Sequence, residues 1–142
     1  MLYAESMSTA ASDPTDEFVV SVFSRNCPSR GALEDIAGKW GILALLALRE
    51  NGFRFNALRR RVEGVSEKML SQTLQTLERD GLVVREVHSA IPPRVEYTLT
   101  ALGERVADRM KGLADLLEAS VAEMGEARLR YDARQGAEED AR

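Results

Sequence analysis

The sequence predicts a mainly α-helical domain with one small β-hairpin, and three patterns carry that expectation. Apolar residues recur at helical spacing through most of the chain between Ser29 and Tyr131. Two short stretches, "LVVREV" and "RVEYTLT", read instead as strands separated by Pro92-Pro93. The last helical pattern is far longer than the others. At 142 residues, 44% of them hydrophobic and 30% charged, the chain suits one domain with a real core.

Residues 1–16 are small and polar, and a disordered arm is expected there. Phe18 to Phe23 (FVVSVF) is apolar but too short to stand alone. A first helix follows Cys27-Pro28, with Ser29 as its expected N-cap and Gly38 as its breaker. From Lys39 to Glu50, "KWGILALLALRE" is apolar on nearly all sides and reads as a buried central helix, stopped by a left-handed Asn51-Gly52. Trp40 belongs to that core rather than to a cofactor site. Asn56 is the expected cap of a short helix, "ALRRRV", which Gly64 closes. Ser66 caps the next, with Val65 and Leu70 forming a hydrophobic staple, and that helix runs to Asp80 and stops at Gly81.

Two helices joined by a tight Gly-containing turn are helix-turn-helix organisation, and a hairpin directly after them is a wing. Thr100 then caps a helix expected from about Ala101 to about Tyr131, which would span roughly 45 Å. Its apolar residues Leu102, Val106, Met110, Leu113, Leu117, Val121 and Met124 recur by fours and threes. So long a stripe outruns a small winged domain, and a second subunit is the economical cover. The expected organisation is therefore a winged helix-turn-helix over 17–131 with dimerisation elements at both ends. A flexible tail is expected over 132–142.

The second helix of the pair has an outer face worth reading. With Leu70 as reference and about 100° per residue, Leu74 and Leu77 fall within about 40° of it. Lys68, Gln72, Gln75 and Arg79 fall at roughly 140° to 200°, opposite that stripe, and Glu67 and Glu78 stay on the flanks. Net charge is −4, yet residues 49–94 hold nine Lys or Arg against six Asp or Glu, a basic island between acidic ends.

The order of motifs resembles the HxlR-type winged helix-turn-helix regulators, relatives of the MarR-like repressors. The matching stretches are "CP" at Cys27-Pro28, "GKW" at Gly38 to Trp40, "RFNAL" at Arg54 to Leu58, "VSEKMLSQTLQTLERDGLVVR" at Val65 to Arg85, and "PPRVEYTLTALG" at Pro92 to Gly103. Asn56 stands where Ser is usual, and an acidic, Ala-rich N-terminal arm is added. The resemblance implies a dimeric bacterial protein that binds double-stranded operator DNA. Wheel and resemblance then agree on roles. Gln72 and Gln75 are natural base readers, because a carboxamide pairs bidentately with adenine, while Lys68 and Arg79 suit guanine or phosphate. Ser71 and Thr76 could hold phosphate or a thymine methyl. Arg59 and Arg60, with Arg61 beside them, cannot all share one face, so phosphate contact falls to some of them. Arg94, after two prolines, is the candidate minor-groove residue of the wing, and His88 nearby reads as a surface residue or a phosphate contact.

Cys27 precedes a helix N-terminus with Arg25 and Arg30 close in sequence, a setting that favours a thiolate. Several relatives of this type use the equivalent cysteine to sense oxidants or electrophiles, so the resemblance makes Cys27 a candidate sensor of an oxidant, quinone or aldehyde effector. The alternative is a small buried hydrophobe in the dimer seam. A small-ligand-responsive regulator without cysteine sensing and a winged-helix protein-interaction module are the competing functions. Catalysis is not expected: one His, one Cys, no phosphate loop and no paired-carboxylate motif leave no constellation, and no cofactor or metal site is expected either. The lone cysteine, the absence of an apolar run near 18 residues and an N-terminus unlike a secretory signal point to the cytoplasm and away from membranes.

Overall fold

The computed structural model describes residues 21–142. Among these residues four helices come first: α1 (Pro28–Ala37), α2 (Lys39–Glu50), α3 (Phe55–Arg61) and α4 (Glu67–Arg79). An antiparallel hairpin of β1 (Val83–Ala90) and β2 (Pro93–Leu99) follows, then α5 (Ala101–Ala119) and α6 (Val121–Asp140). The expected arm 1–16 and the first residues of the apolar segment, Phe18 to Val20, lie outside the described residues.

α2 is the axis of the domain. Its Ala44, Leu45, Ala47 and Leu48 are buried against Leu58, Val62 and Val65 around α3, against Leu70, Leu74 and Leu77 of α4, and against Leu82, Val83 and Ala107. A helix apolar on most sides has to be surrounded, and here α3, α4, β2 and α5 surround it. Trp40 packs on this core, with the Lys39 ammonium 4.5 Å from its ring centre. The staple residues Val65 and Leu70 are both buried, and the Ser66 hydroxyl accepts the Met69 N–H at 3.1 Å. Gly64 (φ 93°) and Gly81 (φ 78°) take the left-handed conformations that the turns before and after α4 require.

Several boundaries differ from the sequence expectation. Cys27, not Ser29, occupies the position before α1, because Pro28 suits the first helical residue with its fixed φ and missing N–H. Asn51 is extended (φ −172°, ψ 158°), so α2 does not end in a left-handed stop. Gly52 serves a different need: a Cβ there would run into the Glu96 carboxylate and the Thr98 methyl. Beside it, Phe53 and Tyr97 exchange backbone hydrogen bonds of 3.0 and 2.8 Å, a third short strand contact that sequence did not reveal. α3 begins at Phe55, with Arg54 before it, because the Phe55 ring packs on the core.

The long C-terminal helix is two helices. At Ser120 (φ −107°, ψ 9°) the N–H turns back to the Leu117 carbonyl at 3.1 Å, and α6 restarts from there. The tail expected to be loose over 132–142 is helical through Asp140 instead, in a segment rich in the helix formers Ala, Glu and Arg. The predicted stripe is thus divided, with Leu102, Val106, Met110, Leu113 and Leu117 on α5 and Val121 and Met124 on α6. Val106 packs on this chain's own core, and Met110 and Met124 are half-buried. Leu102, Leu113, Leu117 and Val121 are exposed, joined by Leu116 and Leu129, and Phe23 at the other end is 89% exposed.

Candidate nucleic-acid interface

α3, the turn through Gly64 and α4 form the helix pair, and the amphipathic sequence of α4 decides its orientation. Its three leucines are at most 1% exposed, so Lys68, Gln72, Gln75 and Arg79 must point outward, and all four are exposed. Ser71 and Thr76, on the flanks, are half-buried. Thr76 and Gln72 border a shallow hollow shared with Lys39 and Trp40, which adds Lys39 as a cation that sequence reasoning had not singled out. Its signal was present in the "GKW" stretch, but helix α2 reads as core and hides it.

The arginine run of α3 is sorted by its partners. Arg61 is clamped by Glu50 through two hydrogen bonds of 2.8 and 2.6 Å, which tie α3 to α2. That bond, and the charge of Arg61, hold the Glu50 carboxyl below the usual range, while Glu50 raises Arg61. Arg59 reaches Glu67 at 3.4 Å, and Arg60 has no ion-pair partner among the described residues. Arg59 and Arg60 line an open hollow with Asn56, Ser66 and Glu67, at the N-terminus of α4. Helix N-termini attract anions, so cations and helix end converge there. Asn56 is a polar member of this hollow, not the cap of α3.

The wing projects from the end of α4. β1 and β2 pair from Val83↔Leu99 to Ala90↔Pro93, with an irregularity between Val87 and Ser89 that leaves His88 out of register. His88 is exposed, 3.5 Å from Glu86 and 3.8 Å from Glu96. Arg94 is exposed beside the tip, where Ile91 is 92% exposed. The base of the wing is knotted to both neighbours. The Thr100 hydroxyl donates to the Gly81 carbonyl at 2.7 Å and accepts the Gly103 N–H at 2.9 Å, and the Thr100 N–H donates to the Leu82 carbonyl at 3.0 Å. At the end of α4, burial, followed by the nearby Asp35 carboxylate of α1, pushes the Asp80 carboxyl up from its ordinary value.

Cys27 lines neither of the two hollows of this face. It is 3% exposed, and its N–H closes a turn on the Ser24 carbonyl at 3.1 Å. The Arg30 N–H donates to the Cys27 carbonyl at 3.1 Å, and its guanidinium bonds Glu34 at 2.9 Å and the Phe23 carbonyl at 3.0 Å. Among the described residues no group of His, Cys, Asp and Glu is placed to hold a metal, and no helix is long and apolar enough to cross a membrane.

Comparison with known proteins agrees with this geometry. A model of the HxlR-like helix-turn-helix family matches residues 35–124. The uncharacterized helix-turn-helix-type transcriptional regulator YtfH of Escherichia coli K12 is 48% identical over 104 residues, 73% of this chain and 82% of that one. The solved structure of the YtfH regulator from Salmonella typhimurium superposes with a TM-score of 0.71 at 46% identity, covering 76% of this chain and 96% of the other. The reduced form of the redox regulator HypR superposes with a TM-score of 0.64 at 31% identity, covering 70% and 98%. These relatives are regulators rather than enzymes. With a matching family model over more than half of its length, the chain belongs to the HxlR-like helix-turn-helix family, and its fold is that of a winged helix-turn-helix protein.

Proposed function

We propose that this protein is a transcriptional regulator that binds an inverted-repeat operator as a homodimer and represses by occupying it. The observation that carries the reading is the exposed stripe Lys68, Gln72, Gln75 and Arg79, opposite three leucines that anchor α4. Gln72 and Gln75 read base edges in the major groove, with Lys68 and Arg79 on guanine or phosphate. Arg59, Arg60, Ser71 and Thr76 hold the phosphate backbone, and Arg94 enters the adjacent minor groove. The exposed residues of α5 and α6 support pairing with a second copy, through Leu102, Leu113, Leu117 and Val121, with Met110 and Met124 at the edges.

Selection of bound fragments from random DNA tests this. An inverted repeat with half-sites about 10–10.5 base pairs apart, or a multiple of that, is expected. Gln72→Ala should cost about 1–3 kcal/mol on the preferred site and relax one base position. Arg60→Ala and Arg94→Ala should weaken all sequences alike and flatten the salt dependence. An unchanged motif and affinity in Gln72→Ala would mean that α4 is docked in another way.

A redox response through Cys27 is the finer part of the proposal, supported by the likeness to a regulator named for redox sensing. Diamide should then change operator affinity at least tenfold, about 1.4 kcal/mol, and Cys27→Ser should abolish the change while binding DNA. The burial of Cys27 favours the second reading, a regulator that answers to a small ligand without cysteine chemistry. A Cys27→Ser protein that responds like the parent would select it.

A further inference from the structure

We propose that the hollow between α2, α3 and α5 is an effector site for small hydrophobic cations. The inference rests on the regulator reading for its consequence but not for its chemistry. The hollow has a volume of about 280 Å³, near the lower end of small-molecule sites, which suits one ring with a short charged arm. Leu43 and Leu46 of α2, Val62 after α3 and Ala114 of α5 give it apolar walls.

Charge decides the class of ligand. Three cations line the hollow, and each already has a carboxylate: Arg61 holds Glu50, Arg49 holds Asp108 at 2.8 Å, and Lys111 holds Asp115. An entering anion would have to break one of those pairs. Glu63 and Glu118 also line the hollow, and neither has an ion-pair or hydrogen-bond partner among the described residues. The uncompensated charge is therefore negative, at the rim of an apolar hollow. A compact cation with an apolar body satisfies both features. A bare metal ion satisfies only the first, and among the described residues no group of three His, Cys, Asp or Glu is placed to hold one.

Access and consequence follow from the same helices. Lys111, Ala114 and Glu118 fall within about 60° on one side of α5. Leu113 and Leu117 lie roughly 90° to 130° round the helix from the middle of that arc, so a partner covering the apolar stripe leaves the mouth open. The walls belong to the central helix α2, to the end of the first helix of the DNA-reading pair and to the seam helix. An occupant that wedges between them changes the angle at which α4 is presented.

Benzyltrimethylammonium is a suitable probe, with phenylmethanesulfonate as an anion of similar shape. Titration calorimetry on the full chain should show saturable binding of the ammonium and none of the sulfonate. Glu63→Gln with Glu118→Gln, both exposed positions, should weaken the ammonium at least tenfold without changing the melting temperature of the unliganded protein. Equal binding of the sulfonate, no saturable binding of the ammonium, or affinity unchanged in the double variant would overturn the site. Fluorescence anisotropy with operator DNA, with and without saturating ammonium, tests the effector role. Operator affinity should shift several-fold; no shift removes that role. A protein that takes the ammonium but no DNA would defeat the regulator reading and leave the site standing. Operator binding without ammonium binding would do the reverse.

Discussion

α4 and α5 are both amphipathic helices on one small domain, and they dispose of their apolar stripes in opposite ways. α4 has Leu70, Leu74 and Leu77 closed within its own chain, so its polar side is free to meet something else. α5 buries only Gly103 and Ala107 fully, while Leu102, Leu113, Leu116 and Leu117 stay in water. An apolar stripe of that length favours burial at about 25 cal/mol per Å², and nothing among the described residues covers it. One helix is finished by its own fold and presents chemistry. The other, under the dimeric reading, is finished by assembly.

The largest effect that would sharpen this contrast comes from α5. Leu113→Asp with Leu117→Asp should leave the fold intact and halve the mass seen by sedimentation. Affinity for the full repeat should fall on the order of 10²–10⁴-fold, because each winged domain then binds alone. A dimer that survives would place the seam elsewhere. The converse change on α4, Leu74→Ala, should cost about 2–5 kcal/mol of stability in denaturant titrations, with the dimer retained wherever the domain remains folded. A loss well under that range would mean that the α4 stripe is less enclosed than its burial implies.

Smaller effects test what holds α4 in place. Ser66→Ala removes the acceptor for the Met69 N–H and should cost about 0.5–2 kcal/mol, read as a lower unfolding midpoint at unchanged slope. Asp80→Asn should act through pH. Burial and Asp35 raise the Asp80 carboxyl in the folded state, so the fold binds its proton more readily than the unfolded chain does. That preference stabilises at low pH and is lost as pH rises through the raised value. The variant should therefore melt higher than the parent at pH 7, with the gap narrowing toward about pH 4. A gap constant with pH would assign the gain to the helix end rather than to the charge.

Much of this was legible in the sequence where one segment carried its own signal. Ser66 with Val65 and Leu70 announced the start of α4, and the 3.6-residue repeat announced its buried stripe. Thr100 announced α5, where its hydroxyl accepts the Gly103 N–H. What could not be read depends on neighbours remote in sequence. Gly52 looked like a helix stop, but its purpose is the approach of Glu96 and Thr98 from β2. The pairing of Phe53 with Tyr97 has no local trace. Likewise "RRR" shows three equal cations until Glu50 claims Arg61 and Glu67 draws Arg59. The break at Ser120 escaped because the spacing of fours and threes runs through it undisturbed, and periodicity records faces rather than continuity.

The Thr100 knot has a consequence for which targets a dimer could accept. Its hydrogen bonds join the turn after α4, Leu82 just before β1, and the first turn of α5. At Gly103 any added side chain would strike the Leu82 carbonyl, so backbone lies directly on backbone at this joint. A reading head mounted on a slack joint could swing to tolerate half-sites at several separations. One mounted without slack cannot, and the phase between the two heads becomes a property of the helices that join them. Under the dimeric reading, a change in the seam would retune the set of acceptable operators all at once, with no residue that touches a base altered.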